Sequence, residues 1–170
     1  KIEIKELKQL NLKKILKIEV NKKQVGSDRL ANAISVINNK DNFIILDFGT
    51  ATTFDVVLKN KYKGGIIAPG VNLSLKTLVE KAKLIPNTKL TKIKNIIGKN
   101  TQNAVRSGFY WGYQGLIENM INLIEKKYKK NFKIIFTGGL SHLFKDTIKK
   151  KIKIDRDLTI KGLLRLVDSI

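Results

Sequence analysis

Short apolar runs and helically spaced apolar positions alternate along the 170-residue chain. The apolar runs predict strands at residues 15–20, 43–46, 53–58, 62–68 and 132–136. Apolar residues three and four apart predict helices at residues 28–37, 71–82, 101–127, 140–150 and 157–170. The first residues form a Lys- and Leu-rich stretch that also favours a helix. Strands and helices in this order predict an α/β fold.

The composition excludes several kinds of site. The chain has no cysteine, which excludes a disulfide framework and a thiolate metal site. His142 is the single histidine, which leaves no histidine cluster for a metal. No apolar run approaches the length of a membrane span, and the N-terminus lacks the order of a signal peptide. We therefore expect a soluble, cytoplasmic protein with no membrane partner.

The formal net charge of +20 has two interpretations. A basic surface binds nucleic-acid phosphates without reading their sequence. Alternatively, the charge is compositional, because the excess is nearly all Lys in a chain also rich in Ile and Asn, as an AT-rich genome encodes. Arg, which suits guanine and phosphate recognition, stands only at positions 29, 106, 156 and 165. We favour the second interpretation and expect no specific nucleic-acid partner.

The stretch FIILDFGTATTFDVV, residues 43–57, places a carboxylate at the end of an apolar run and follows it with a turn. In α/β proteins ligands gather at the carboxyl ends of strands. Backbone N–H groups and hydroxyls of such a turn cradle phosphate, and a neighbouring carboxylate holds the Mg²⁺ that accompanies ATP. The candidates are Asp47, Gly49, Thr50, Ala51, Thr52 and Thr53. An ordinary hairpin with Asp and Gly in its turn explains the pattern equally well.

Thr137, Gly138 and Gly139 form a second candidate, between a predicted strand and a predicted helix. Two glycines allow a flat ligand to lie against the backbone, and a helix N-terminus favours an anion. Glycine pairs are common between strands and helices, so this turn alone is weak evidence.

Gly26, Ser27, Asp28 and Arg29 place an acid beside a guanidinium at a helix start. Asp28 is a candidate general base for a substrate hydroxyl, and Arg29 a candidate ligand of a substrate carboxylate. The alternative is structural, with Ser27 or Asp28 as a helix cap and Arg29 solvated.

The predicted long helix has two features of interest. Thr101, at its start, is a candidate either for capping the helix or for contacting a substrate through its hydroxyl. Ala104, Gly108, Gly112 and Gly115 put small groups near one face, which allows close packing on this chain or on a partner's helix.

Taken in order, several motifs resemble those of the type III pantothenate kinases, also described as Bvg accessory factor-like. The motifs are GSDRLANA, DFGTATTFDVV, GGIIAPG, GKNTQNAVRSGFYWGYQGLIE, IIFTGG and DLTIKGL. They cover roughly residues 25–166. The resemblance implies an actin-like/Hsp70-like ATPase fold of the ribonuclease H-like kind.

The resemblance also implies a reaction, the ATP-dependent phosphorylation of pantothenate in the first step of coenzyme A synthesis. By motif position, Asp28 resembles the general base, and Gly26, Arg29 and Thr101 resemble pantothenate contacts. Asp47 with the turn that follows it resembles the second phosphate loop, and Thr137 to Gly139 the adenosine loop. The implied cofactors are ATP, Mg²⁺ and a monovalent cation, K⁺ or NH₄⁺, with Asp47 and Asp55 as candidate metal ligands. The implied assembly is a homodimer formed through the helix at residues 101–127.

One departure from the family pattern limits these expectations. The family opens with a first phosphate loop of the form Asp-x-Gly-Asn-Thr, which these 170 residues do not contain. We therefore predict that residues 1–25 are the tail end of a first domain and residues 26–170 a second actin-like domain. We also predict that the chain alone lacks full kinase activity. Two alternatives remain open, a non-catalytic regulatory or nucleic-acid-binding relative, and an inactive truncated fragment.

Overall fold

A computed structural model describes residues 6–168 of the chain. Its strands are β1 (Lys17–Ile18), β2 (Asn42–Phe48), β3 (Ala51–Leu58), β4 (Lys61–Pro69), β5 (Lys133–Gly138) and β6 (Ile152–Ile154). Its α-helices are α1 (Ser27–Val36), α2 (Val71–Lys81), α3 (Thr101–Tyr128), α4 (Ser141–Phe144) and α5 (Leu158–Val167). Short 3₁₀ helices occupy Leu7–Gln9, Lys22–Gln24 and Lys145–Thr147.

The six strands form one mixed sheet in the order β1-β4-β3-β2-β5-β6. β2, β3 and β4 are an antiparallel meander, as expected from apolar runs separated by tight turns. β5 and β6 continue the sheet in parallel with β2. The carboxyl ends of β2, β5 and β6 therefore meet at one edge of the sheet, together with the start of β3.

Helices cover both faces of the sheet because the central strands are apolar on both sides. One core cluster lies between α1, α5 and the sheet face that carries Phe43, Ile45 and Val57. The other lies beneath α3 and α4, on the face that carries Ile44, Leu46 and Phe54. Alternation along each strand assigns Asp47, Asp55 and Thr137 to the first face. The polar residues of the candidate motifs thus face α1.

The predicted α/β class is confirmed, and so are the hairpin of β2 and β3, the long helix and the C-terminal helix. The predicted helix at residues 140–150 is wrong in extent, since α4 ends at Phe144 and a 3₁₀ turn follows. β6 was not predicted, because its three residues stand among lysines. Of the predicted N-terminal helix only the 3₁₀ turn Leu7–Gln9 forms in the described part, and residues 1–5 lie outside it.

The lead-in segment packs against the same core as α1. Leu7, Leu12, Leu16 and Val25 are all buried in that cluster, and β1 pairs with β4. The domain division at residue 25 stays a prediction. Within residues 6–168, no helix is both long enough and apolar enough to cross a bilayer.

Candidate functional site

Three of the predicted site residues lie in one row across the sheet. Asp47 on β2 is directly opposite Thr53 on β3 and directly opposite Thr137 on β5. All three side chains point to the α1 face, at the edge where β2 and β5 end. The sheet register therefore joins the DFGTATT and TGG motifs, which are about 90 residues apart in sequence.

The two oxygens of Asp47 have different surroundings. Oδ2 accepts a hydrogen bond of 3.0 Å from the Asn32 side-chain amide, and Oδ1 has no hydrogen-bond partner within the described residues. Burial raises the pKa of the Asp47 carboxyl, the hydrogen bond from Asn32 opposes this, and the charge of Asp28 adds to the increase. Asp28 lies on α1 one turn before Asn32, the residue that donates to Asp47.

Gly138 is shaped by its closeness to Asp47. Its φ is +83°, which side chains of L-residues rarely adopt. A Cβ atom at Gly138 would lie 2.7 Å from Asp47 Oδ1 and equally close to the backbone N and O of Phe48. At Gly139 a Cβ would meet nothing within 4 Å. Gly138 thus lets the backbone of β5 approach the Asp47 carboxylate, and Gly139 leaves open space beside it.

The turn after Asp47 borders a cleft of about 490 Å³. Its lining residues come from the β2–β3 turn, the start of α2 and the glycine turn after β5, namely Phe48, Gly49, Thr50, Asn72, Leu73, Lys76, Gly139 and Leu140. Gly49 and Thr50 are exposed, and α2 begins beside them because Gly70 lies against the Thr50 carbonyl. The cleft therefore combines the predicted phosphate turn and the predicted adenosine turn with one ammonium group, that of Lys76.

Oxygen atoms suited to a hard cation lie beside Asp47. The hydroxyl of Thr53, on the same face of the sheet, is buried and has no hydrogen-bond partner, and Asp47 Oδ1 is likewise without one in the described part of the chain. No group of three His, Cys, Asp or Glu residues between positions 6 and 168 could hold a metal. A lone carboxylate with hydroxyls fits Mg²⁺ or K⁺ that also binds substrate phosphates, since Mg²⁺ rarely occupies an all-protein cage.

The acid–arginine pair occupies the first turn of α1. Gly26 is the N-cap and offers no side chain, so the expected capping by Ser27 or Asp28 is wrong. Asp28 is exposed, and its Oδ1 accepts a hydrogen bond of 2.8 Å from its neighbour's backbone N–H, that of Arg29. A Cβ at Gly26 would lie 2.4 Å from Asp28 Oδ1, so the glycine makes room for this carboxylate.

Arg29 turns in the opposite direction and enters the core. Its Nε donates to Oδ1 of Asp55 at 2.9 Å, and its Nη2 forms an ion pair with the same oxygen at 2.7 Å. The Tyr62 hydroxyl also donates to this oxygen, at 2.5 Å. Burial raises the pKa of Tyr62, as does the charge of Asp55, so the phenol remains a donor. Burial opposes the charge of Arg29, but the hydrogen bonds to Asp55 outweigh it and raise its pKa.

The room for this arrangement comes from Gly65, where a Cβ would lie 2.5 Å from Arg29 Nη2. The contacts also bear on the expectation that Asp55 binds a cation. Oδ1 of Asp55 is already occupied by three donors, and only the buried Oδ2 has no partner within the described residues. The cation role of Asp55 stays a prediction, whereas its contact with Arg29 is a feature of the fold.

Thr101 is not brought to the acid–arginine pair. It is exposed at the start of α3, which packs on the opposite face of the sheet from α1. Asn100, not Thr101, caps the helix, because its side chain accepts a hydrogen bond from the N–H of Asn103. A substrate contact from Thr101 stays a prediction.

The small-residue face of α3 is open to solvent. Ala104, Gly108, Gly112 and Gly115 are all exposed, and a Cβ at any of the three glycines would meet nothing within 4 Å. These glycines are therefore not explained by packing inside the described part of the chain.

A second cavity, of about 780 Å³, is larger than the cleft and lies away from these residues. Asp41, Phe43 and Lys133 line it at the amino ends of β2 and β5. None of the predicted site residues belongs to it. We therefore place the candidate site at the carboxyl edge, where the motifs meet, rather than in this larger space.

Three residues near the site were not identified from the sequence. Asn32 and Thr159 are linked to Asp47, and Lys76 lines the cleft. A polar residue at position 32 within an otherwise apolar helix face was a signal for the first. For Thr159 the sequence offered no comparable signal.

Comparison with known proteins identifies close relatives. The sequence pattern of a family described as type III pantothenate kinase matches residues 1–123. A protein of Pelagibacter ubique (strain HTCC1062) named type III pantothenate kinase is 66% identical over 165 residues, which are 97% of this chain and 66% of that protein. A protein of the same name from Paramagnetospirillum magneticum is 42% identical over 84% of this chain and 56% of its own length. The chain thus spans less than two thirds of these relatives.

Two solved structures share the fold at low sequence identity. A protein described as a conserved Baf family transcriptional activator from Campylobacter jejuni has a TM-score of 0.67 at 21% identity, over 94% of this chain and 72% of that chain. The Alp12 filament structure has a TM-score of 0.55 at 15% identity, over 84% of this chain and 53% of that chain. These similarities concern the fold alone.

Proposed function

Because this chain belongs to the type III pantothenate kinase family and has an actin-like ATPase fold, we propose that it carries the acceptor and nucleotide residues of a pantothenate kinase. The reaction is the ATP-dependent phosphorylation of pantothenate to 4′-phosphopantothenate, which opens coenzyme A synthesis. A cytoplasmic location accompanies this proposal.

One observation carries the proposal. Asp47, Thr53 and Thr137 share a row at the carboxyl edge of the sheet, and Asp28 lies on α1 one turn before Asn32, which donates to Asp47. The helix of the candidate base, the candidate phosphate turn and the candidate adenosine turn thus meet at this edge, although they come from three separate parts of the sequence. An ordinary hairpin and an ordinary helix start would not require this convergence.

In the proposed chemistry, the hydroxyl oxygen of pantothenate forms a bond to the γ-phosphorus of ATP, and Asp28 accepts the proton of that hydroxyl. The bond from that phosphorus to the β–γ bridging oxygen breaks, and ADP leaves. Asp28 is suited to this role because its carboxylate is exposed and held at the helix start by the backbone N–H of Arg29. Phosphoryl transfer depends mainly on positioning and charge neutralisation.

The nucleotide side is assigned to the edge between the two turns. Gly49, Thr50, Ala51, Thr52 and Thr53 would contact the phosphates, and Thr137, Gly138 and Gly139 would contact the adenosine. Mg²⁺ and a monovalent cation, when bound, neutralise phosphate charge, and Asp47 with the unpaired Thr53 hydroxyl would hold them. Lys76, in the same cleft, adds a positive charge.

The pantothenate side is assigned to Gly26, Arg29 and Thr101. Nη1 of Arg29 takes no part in the contacts with Asp55, and we assign this nitrogen to the carboxylate of the acceptor. Since Thr101 is not near Arg29 within one chain, we propose that a homodimer formed through the open glycine face of α3 completes the pocket.

A coupled ADP-release assay with pantothenate, MgATP and KCl tests the proposal. It is run on this chain and on a version extended to the start codon of its gene, because the family's Asp-x-Gly-Asn-Thr loop is absent from these 170 residues. We expect K⁺-dependent turnover by the extended version, little by the chain alone, and loss of turnover in Asp28→Asn. If the extended protein folds but releases no ADP, the kinase proposal is contradicted. Full turnover by the chain alone would contradict the need for the Asp-x-Gly-Asn-Thr loop.

A further inference from the structure

Asn32 is a fully buried polar residue that joins two helices to the candidate site. It lies on α1, one turn after Asp28 and Arg29, and has no solvent exposure. Its side-chain nitrogen donates to Asp47 Oδ2 at 3.0 Å. Its side-chain oxygen accepts from the Thr159 hydroxyl of α5 at 2.7 Å.

The chemistry of the three groups allows only one direction for this chain of hydrogen bonds. An ionised carboxylate accepts hydrogen bonds but cannot donate, so the Asn32 amide must turn its NH₂ group toward Asp47. The Asn32 oxygen then faces Thr159, whose hydroxyl must donate to it. Asp47 therefore sets the orientation of the Asn32 amide, and the hydrogen bond from Thr159 holds the amide in place.

The two oxygens of Asp47 consequently have different roles. Oδ2 is fixed by Asn32, and Oδ1 is left at the edge beside Gly138, without a partner in the described region. Without Asn32 the carboxylate could rotate about its χ angles, and no other described side chain donates to it. Asn32 restricts Asp47 to the orientation in which one oxygen faces the cleft edge.

The position of α5 is itself fixed closely. Gly162 packs against the backbone of α1, where a Cβ would lie 1.8 Å from the Ala31 carbonyl oxygen. Thr159, one turn earlier on α5, is thereby held at a constant distance from Asn32.

We propose that Asn32 is a positioning residue for Asp47, anchored by Thr159, and that this chain of hydrogen bonds sets nucleotide affinity at the carboxyl edge. The inference rests on the proposed function, because it assigns Asp47 to the nucleotide-bound cation and phosphates. It extends that function to α5, which contributes no residue to the site directly.

Isothermal titration of the chain with MgADP in KCl tests this inference. The main variant is Asn32→Asp, which keeps the size of the side chain and replaces the donor NH₂ by an oxygen. Outer partners of metal-binding side chains typically affect affinity 10- to 100-fold, so we expect a loss of about tenfold or more. Thr159→Val, which removes only the outer hydrogen bond, should weaken binding about fivefold.

Two controls separate positioning from general damage. Ser35→Ala removes a hydroxyl on the same helix that bonds to the Asn32 backbone carbonyl, and should leave MgADP affinity unchanged. In an Asp47→Ala background, Asn32→Asp should cause no further loss, since its effect acts through Asp47. Urea unfolding midpoints are measured for every variant.

The outcomes distinguish the inference from the proposed function. If the unchanged chain does not bind MgADP, both the nucleotide site and the inference are overturned. If it binds and Asn32→Asp binds equally well, or loses affinity equally in the Asp47→Ala background, only the inference is overturned. If Asn32→Asp does not fold, Thr159→Val decides, with a loss supporting the inference and unchanged affinity contradicting it.

Discussion

Arg29 and Asp55 form a buried ion pair that joins helix α1 to strand β3, with 2.7 Å between Nη2 and Oδ1. The Arg29 side chain is 13% exposed and that of Asp55 is fully buried. Removing one partner of such a pair leaves the other as an uncompensated buried charge. The pair therefore fixes the first turn of α1, including Asp28, against the sheet.

Asp55→Asn is expected to lower the free energy of unfolding by about 3 kcal/mol, because it leaves the Arg29 charge without its counterion. Tyr62→Phe removes one hydrogen bond to a charged group and should cost about 1.5 kcal/mol. Urea unfolding measures both. Glu80→Gln, in the exposed Lys76–Glu80 pair at 3.7 Å, is the matched control and should change little. Equal effects at Asp55 and Glu80 would contradict the buried-pair account.

Gly138 and Gly139 are adjacent but should respond differently to alanine. At Gly138 the backbone has a φ of +83°, and an added Cβ would lie 2.7 Å from Asp47 Oδ1. Gly138→Ala should therefore lower the free energy of unfolding by at least about 2 kcal/mol and abolish nucleotide binding. Gly139→Ala meets nothing within 4 Å and should change stability by less than about 0.5 kcal/mol. Unfolding midpoints and MgADP titration check this pair, and a tolerated Gly138→Ala would refute the close approach.

Because the pKa of Asp47 is raised in the folded state, we expect this carboxyl to make the free energy of unfolding depend on pH. Burial is the main cause, and the folded state therefore holds the proton more tightly than the unfolded state does. The free energy of unfolding should fall as pH rises above the ordinary value of 3.8, and the penalty should be complete above the folded pKa. Asp47→Asn should accordingly unfold at higher urea than the unchanged chain at pH 7, and this advantage should shrink toward pH 4.

Asp41 provides a control in which the pKa is shifted in the opposite direction. The hydrogen bond from Lys133 lowers its pKa, so the ionised form stabilises the folded state above 3.8 and this contribution is lost as pH falls through the folded pKa. Asp41→Asn should therefore be destabilising at pH 7 and neutral at low pH. An Asp47→Asn difference that does not vary with pH would show that burial of its charge is not the cause.

Substitution of Gly108 or Gly112 by alanine should stabilise the subunit but weaken the proposed dimer. Each has open space around it, so Gly→Ala should stabilise the isolated helix by about 0.5–1 kcal/mol. If α3 forms the proposed dimer, the added methyl groups should weaken association. Sedimentation velocity over a range of concentrations measures the dimer, and urea unfolding at low concentration measures the subunit. If the alanine variants associate as strongly as the unchanged chain, the glycine face of α3 is not the dimer interface.

The sequence was sufficient for the hairpin of β2 and β3 and for the residue types at the site. The apolar run ending in Asp47, the Gly49 turn and the run after it predict a hairpin locally, because each signal lies within a few residues. The alignment of Asp47 with Thr137 depends on the parallel pairing of β2 with β5, which no local pattern specifies. The family resemblance, and not the periodicity, indicated that these motifs belong together.

The polar links of α1 were beyond sequence reasoning. Arg29 and Asp55 are 26 residues apart, and Asn32 and Thr159 are 127 apart, so their contacts follow from how α1 lies between the sheet and α5. The same residue types would serve equally well as a solvated arginine and a helix-capping acid. The separation of Thr101 from Arg29 likewise depends on α3 lying on the other face of the sheet.

The central claim is that nucleotide phosphates bind at the carboxyl edge between Asp47 and Gly138. The most direct measurement is an ¹H–¹⁵N NMR titration of the chain with MgADP in KCl, which does not require turnover. We predict saturable shifts of the backbone amides of Gly49, Thr50, Gly138 and Gly139, with Phe43 and Lys133 in the distant cavity unchanged. Shifts confined to that cavity, or no saturable shift at the edge, would contradict the account.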